Sequence, residues 1–150
     1  TQRILSDSIF NQKKELCFSA AKNMNLENLC LKSKIDEHDI QSLSDDELSV
    51  SKHVIEENVR VIKAAQFLKS NGAEEFGKLM TESHVSLSKY YRVSTNELDK
   101  LVDLSNSFGA LGSKLTGAGF GGAIVTLIKK ELVEELKKYI LNNYPNAKFI

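Results

Sequence analysis

Six of the eight glycines in this 150-residue chain fall within the fourteen residues Gly109–Gly122, which read GALGSKLTGAGFGG. A helix does not survive that density, because each interior glycine costs roughly 1 kcal/mol against alanine. What such a stretch can do is bend. Glycine enters the left-handed backbone region without steric cost and lets another group approach bare backbone. Two readings are open. Consecutive free amides in such a turn can form a nest for an anion such as a phosphate. Alternatively, the glycines only permit a tight hairpin and close strand packing. In either case the apolar, β-branched run Ala123–Ile128 reads as a buried strand, with Ala110–Thr116 as a short strand before it.

Three phosphate-binding patterns can be tested against the loop. No Gly-Lys-Ser or Gly-Lys-Thr occurs, so a P-loop is excluded. Gly117, Gly119 and Gly122 satisfy G-x-G-x-x-G letter by letter. That fingerprint must open a helix within a doubly wound sheet, whereas here a strand follows and 28 residues remain. The same letters fit the glycine loop of protein kinases, but the H-R-D and D-F-G segments of those enzymes do not occur.

Upstream, the apolar period is helical. Phe10, Lys13, Cys17, Ala20 and Met24 recur at three and four, which predicts a helix over about Ser8–Lys22. A short helical piece follows near Leu26–Leu31, and Lys32–Leu43 reads as a polar, irregular excursion. Ser44 with Glu47 forms a capping box, with Leu43 and Leu48 as its staple. The helix it opens runs to about Ser70 and ends at Asn71-Gly72, with Ile55, Val59, Ile62 and Ala65 as its buried stripe. A helix over about Ala73–Tyr90 places Phe76, Met80, His84, Leu87 and Tyr91 on one face. Ser94 with Glu97 reads as a second capping box, and Leu98, Leu101 and Val102 face inward after it. Beyond the hairpin, Glu131–Asn143 is amphipathic, with Leu132, Leu136, Tyr139 and Ile140 on one side. Ala147–Ile150 reads as the start of a last strand. Helices followed by a hairpin, a helix and a strand predict an α+β domain.

Composition removes other classes. Twenty basic residues balance twenty acidic ones, which lacks the basic field of a nucleic-acid binder. No apolar run nears the ~20 residues of a membrane span, and the opening TQRILSDS has no signal-peptide shape. Cys17 and Cys30 fit no metal or redox spacing and read as buried free thiols. These features point to the cytoplasm, with no nucleic-acid or membrane partner.

The loop is more specific than any of this. Gly112–Gly122, GSKLTGAGFGG, resembles nearly letter for letter the third motif of the GHMP kinases, the family of galactokinase, homoserine kinase, mevalonate kinase and phosphomevalonate kinase. Phe120 between the glycine pairs is closer to the galactokinases. A second stretch is similar to that branch: Ser83-His84, Ser86-Leu87, Tyr91, Val93-Ser94, Glu97-Leu98-Asp99 and Leu101-Val102. His53-Val54, Glu57 and Arg60-Val61 resemble its HV…E-x-x-RV helix start. Asn11, Lys13-Lys14 and Cys17 fall where galactokinases carry YN-x-RR-x-EC.

The resemblance implies a GHMP kinase C-terminal domain over residues 1–150, with helices packed on one face of a small, mostly antiparallel sheet. It implies ATP-dependent phosphorylation of galactose or a related hexose to the sugar 1-phosphate. ATP and Mg would be held mainly by an N-terminal domain that is not in this chain, which would be a partner alongside the sugar and ATP. The implied cleft residues are Thr116, Gly117, Ala118, Gly119, Phe120, Gly121 and Gly122, together with Phe10. Phe10 stands where galactokinases usually carry a tyrosine expected to touch the sugar, and a phenyl ring cannot donate that hydrogen bond. Lys13-Lys14 in place of two arginines keep the charge but lose the bidentate fork. The family's phosphate-loop serines and catalytic aspartate precede the matched region. No catalytic residue or metal ligand is therefore expected here, and residues 1–150 alone are expected to be inactive.

Other readings are a GHMP kinase for another substrate such as N-acetylgalactosamine, and a catalytically silent homologue that binds ligand as a regulator. Among single residues, His84 reads as a satisfied core or interdomain histidine and Asp99 as structural. His53 reads as a cap or partner at a helix start, and His38 as solvated. Lys114 either reaches phosphate or lies outward in solvent.

Overall fold

The computed structural model describes residues 7–150, with side chains from residue 9 onward. The opening residues 1–6, read above for targeting signals, lie outside this range. Six α-helices and one hairpin follow in order: α1 Asp7–Asn23, α2 Glu37–Ser42, α3 Asp45–Lys69, α4 Ala73–Ser86, α5 Asn96–Phe108, β1 Gly112–Thr116, β2 Ala123–Leu127 and α6 Val133–Asn143. The two strands pair antiparallel, from Gly112 opposite Leu127 to Thr116 opposite Ala123. The fold is α+β, helix-rich around a two-stranded sheet.

Three apolar clusters hold the elements together. Ala20, Ala21 and Met24 of α1 meet Leu29, Leu43 and Ile55. Val93, Leu98 and Leu115 form a second cluster, joined by Leu87, Tyr91, Phe120 and Ile124. Leu101 of α5 packs with Leu136 and Ile140 of α6, with Phe108 and Ile128 beside them. Ile124 belongs to the last two, so β2 is the wall between them.

Capping chemistry explains where α3 begins. Ser44 Oγ accepts from the Glu47 amide, and the Glu47 carboxylate accepts from the Ser44 amide at 2.9 Å. The same carboxylate accepts from Ser19 at 2.5 Å and Asn23 at 3.0 Å, so one capping residue also ties α1 to α3. Those hydrogen bonds, Ser19's first, hold the Glu47 carboxyl below the usual carboxylate range.

Several expectations need correction. The polar stretch before Leu43 holds a helix, α2, because Asp36 and Asp39 cap its first turn reciprocally. Asp39 is buried there and paired with Lys32. Cys30 is exposed, because Leu29 is the inward residue of its 3-10 turn. The predicted stripe of α3 fails in its second half. Ile55 is buried, but Ile62 is 54% exposed and Ala65 is exposed, because α3 outruns the elements that cover it. The N-cap of α5 is Thr95, whose Oγ1 accepts from the Leu98 amide, and Ser94 turns to Asp99 instead, so Glu97 completes no box. The end of the α4 helix opens into a π-turn over Leu87–Tyr91, closed by Arg92 at φ 56°. β2 is half-buried rather than buried, with Val125 at 47% exposure. Ala147–Ile150 is not a strand, and Ala147 packs instead on the α5–α6 cluster.

Candidate functional site

The hairpin turn takes a conformation that only this sequence density allows. Gly117, Gly119, Phe120, Gly121 and Gly122 all have positive φ, at 82°, 83°, 56°, 109° and 94°. Phe120 is the one non-glycine among them, and such a residue in the left-handed region carries a cost of about 1–3 kcal/mol. That cost is met locally. The Phe120 amide donates to the Val93 carbonyl at 2.7 Å, and its ring packs into the Val93–Leu98–Leu115 cluster. Gly119 passes so close that a Cβ there would lie 2.2 Å from the Val93 oxygen. The loop is thus docked on the segment between α4 and α5, with Gly119 and Gly121 buried and Thr116 and Gly117 exposed.

The strand leading into the loop is tied to α4 along its free edge. Ser113 and Leu115 sit two apart, so their amides point the same way, away from β2. The Ser113 amide donates to Thr81 Oγ1 at 3.3 Å and the Leu115 amide to His84 Nδ1 at 3.2 Å. Between them, Lys114 Nζ donates to Ser83 Oγ at 2.7 Å and to Glu57 Oε1 at 3.3 Å. Glu57 also accepts from Ser83 at 2.5 Å and from Arg60 Nε at 2.8 Å. Burial works to raise the Glu57 carboxyl. The hydrogen bonds from Ser83 and Arg60 and the charges of Lys114 and Arg60 outweigh it and hold it below its usual value. Lys114 therefore neither reaches out to solvent nor stands free in the loop. It is spent on this network.

Both buried histidines are hydrogen-bonded. Because Leu115 donates to Nδ1 of His84, the ring carries its proton on Nε2, which faces Asp99 Oδ1 at 3.1 Å. Asp99 accepts in turn from Ser94 at 2.5 Å and Ser88 at 3.1 Å. Burial holds the His84 pKa below its usual value even though Asp99 pulls the other way. A nucleophilic triad would need a hydroxyl on the nitrogen opposite the carboxylate, and a backbone amide occupies it. The core-histidine and structural-aspartate readings stand. His53 lies inside α3, not at its start. It shares a 2.9 Å hydrogen bond with Ser86 Oγ and stacks at 4.7 Å on Tyr91.

Phe10 lies on α1 and is 52% exposed. Among the described residues, α1 reaches the loop indirectly. Lys13 sits 5.8 Å over the Tyr91 ring, and Tyr91 shares a cluster with Phe120. Phe10 continues the stripe of Lys13 and Cys17 by helical spacing.

Of the turn, Thr116 and Gly117 are the exposed residues, and the Phe120 amide is taken up by Val93. Among the described residues the grouping able to hold a metal is Asp36, His38 and Asp39. Asp36 and Asp39 of that grouping are already bound as the α2 cap and to Lys32. Sequence reasoning missed Val93 as the seat of the loop and the α4 side chains as the edge of β1. The residues themselves were within the stretches singled out, but no period or spacing reveals which backbone atom a side chain will meet.

The family described as GHMP kinases C terminal matches residues 64–146, more than half of the chain. A galactokinase of Clostridium acetobutylicum is 37% identical over 150 residues, covering 95% of this chain and 39% of that protein. A galactokinase of Bacillus subtilis is 35% identical over 150 residues, covering 95% and 38%. The crystal structure of Lactococcus lactis galactokinase complexed with galactose superposes with a TM-score of 0.83 at 27% identity, over 96% of this chain and 39% of that one. The chain spans about two fifths of the length of the curated relatives it matches.

Proposed function

The chain belongs to the GHMP kinases through their C-terminal domain, and from that premise we propose that it is the C-terminal part of a galactokinase-like sugar kinase. The reaction is transfer of the ATP γ-phosphoryl group to the anomeric hydroxyl of galactose or a related hexose. The observation that carries this reading is the glycine loop, held in left-handed backbone on Val93 in a chain similar over 95% of its length to galactokinases. Phosphoryl transfer depends mostly on positioning and charge stabilisation. A turn braced on Val93 suits the first of those tasks.

In this reading ATP supplies the phosphoryl group and magnesium offsets its charge, both held by a domain outside this chain. The residues contributed here are Thr116 to Gly122 on the phosphate and sugar side and Phe10 at the start of α1. The cytoplasm is the compartment this chemistry and the unpaired thiols suit. No helix among the described residues is long and apolar enough to cross a membrane.

The test is ATP-dependent phosphorylation of a sugar panel by the full-length protein that carries this chain. Galactose 1-phosphate as the product supports the reading, and absence of any sugar phosphate overturns it. Phe10 favours one variation. With no hydroxyl at that position, N-acetylgalactosamine or another hexose is the alternative substrate, and the same panel separates it from galactose. A full-length protein that binds the sugar without turnover would instead be a regulator.

A further inference from the structure

Among the described residues the free edge of β1 is closed by side chains rather than by a third strand, and the residue nearest the loop in that closure is a histidine whose protonation decides whether it can serve. Nδ1 of His84 accepts from the Leu115 amide at 3.2 Å, and Thr116 and the glycine turn follow directly. Nε2 faces Asp99, itself fixed by Ser94 and Ser88. Imidazole can accept at one nitrogen only while the other holds the single proton. Asp99 thus selects the form of the ring that can hold Leu115. The charged groups facing the ring are Asp99 and Asp103 from α5 and Lys114 from β1. His84 is buried, and Leu115 and Leu98 are among the most deeply buried of the described side chains, so the bond to the imidazole is shielded from bulk solvent.

We propose that His84 is a positioning residue for the glycine loop: through Nδ1 it fixes the Leu115 end of β1, with Asp99 holding the ring in the accepting form, so that the turn keeps the docked conformation on Val93. The loop is anchored at two points. One is the Phe120 amide on Val93, beyond the turn's start. The other is Leu115 on His84, before it. Loss of the second frees the strand end to shift and leaves a buried amide without a partner, which costs more than the net worth of the bond. The functional consequence rests on the sugar-kinase reading above. The positioning itself does not.

The experiment uses two variants of the full-length protein. Asn places its Oδ1 where Nδ1 of the ring lies, keeping an acceptor for Leu115 but not the reach to Asp99. Gln keeps a donor toward Asp99 and loses the acceptor. Backbone amide exchange is followed across Leu115 to Gly122 and, as a reference, across α4 and α5. His84→Gln is expected to speed exchange at Leu115 and through the turn by about tenfold, the size of one buried hydrogen bond, with α5 unchanged. His84→Asn is expected to recover most of that protection. Sugar phosphorylation should follow the same order, with kcat lowered more than KM is raised. Unchanged exchange in His84→Gln, or equal loss in both variants spread over α4 and α5, would overturn the proposal. Exchange needs no turnover. A wild-type protein without kinase activity would therefore count against the sugar-kinase reading alone, and the exchange comparison would still decide the role of His84.

Discussion

His53 is a neutral imidazole in the middle of α3, 7% exposed and held down to about 4 chiefly by burial, with Arg60 and Lys114 adding to the effect and Glu57 opposing it. The sign of its contribution follows from linkage. Above the ordinary histidine value near 6.5 neither the folded nor the unfolded chain binds the proton. Below it the unfolded chain does and the folded chain does not, so stability falls with pH until about 4. One such group sets a slope of at most about 1.4 kcal/mol per pH unit, and His84 adds to it in the same direction. Urea unfolding at pH 6.5 and 5.0 should show this loss, and His53→Asn should flatten it. Glu47 and Glu57, whose pKa values are lowered, contribute only at more acidic pH, so the window isolates the histidines. At the loop, Gly119→Ala would drive a methyl group toward the Val93 oxygen. In the sugar-kinase reading, kcat/KM of the full-length protein should drop by more than about tenfold, since small displacements of positioning groups cost that much. Gly109→Ala meets open space. It should cost only the left-handed backbone penalty, roughly 1–2 kcal/mol, with activity retained.

The helices show how far a period carries and where it stops. α1, the start and end of α3, α5 and α6 were legible because apolar residues recur at helical spacing and because Ser44 and Glu47 form a reciprocal cap. The period does not say what lies opposite. Ile55 and Ile62 are one stripe by spacing, yet the first is fully buried and the second 54% exposed. Ile55→Ala should therefore cost about 2–5 kcal/mol, and Ile62→Ser should stay within about 0.5 kcal/mol. Equal losses in chemical unfolding would show that something covers the end of α3. The site was legible in part for the same reason. Glycine density marked the turn, but the docking of Phe120 in left-handed backbone depends on the Val93 carbonyl, a backbone atom that carries no sequence signature. The Ser94–Glu97 box failed because Thr95, next in line, offers the same hydroxyl, and Ser94 has a carboxylate to bind in Asp99.

At the scale of the whole molecule the loop lies on the edge of a body that accounts for about two fifths of its relatives' length. If the remaining part holds the nucleotide, residues 1–150 expressed alone should give no ATP-dependent sugar phosphate in a coupled ADP assay, and measurable turnover would refute that division of labour. Within the body, the helical part and the hairpin meet where Gly77 of α4 faces Gly112 of β1. A Cβ on Gly77 would lie 2.2 Å from the Leu111 oxygen, and one on Gly112 would lie 1.8 Å from the Gly77 oxygen. A protein engineer scanning for thermostability would choose Gly77 first, because glycine inside a helix is worth roughly 0.5–1 kcal/mol less than alanine. Here that exchange would push two backbones apart. No side chain stands at either position to be trimmed in compensation, so a change on one side can be absorbed only by moving the main chain on the other. Descendants of this sequence are free to vary the outer faces of both elements, but at this contact they inherit the two glycines together or a differently placed hairpin.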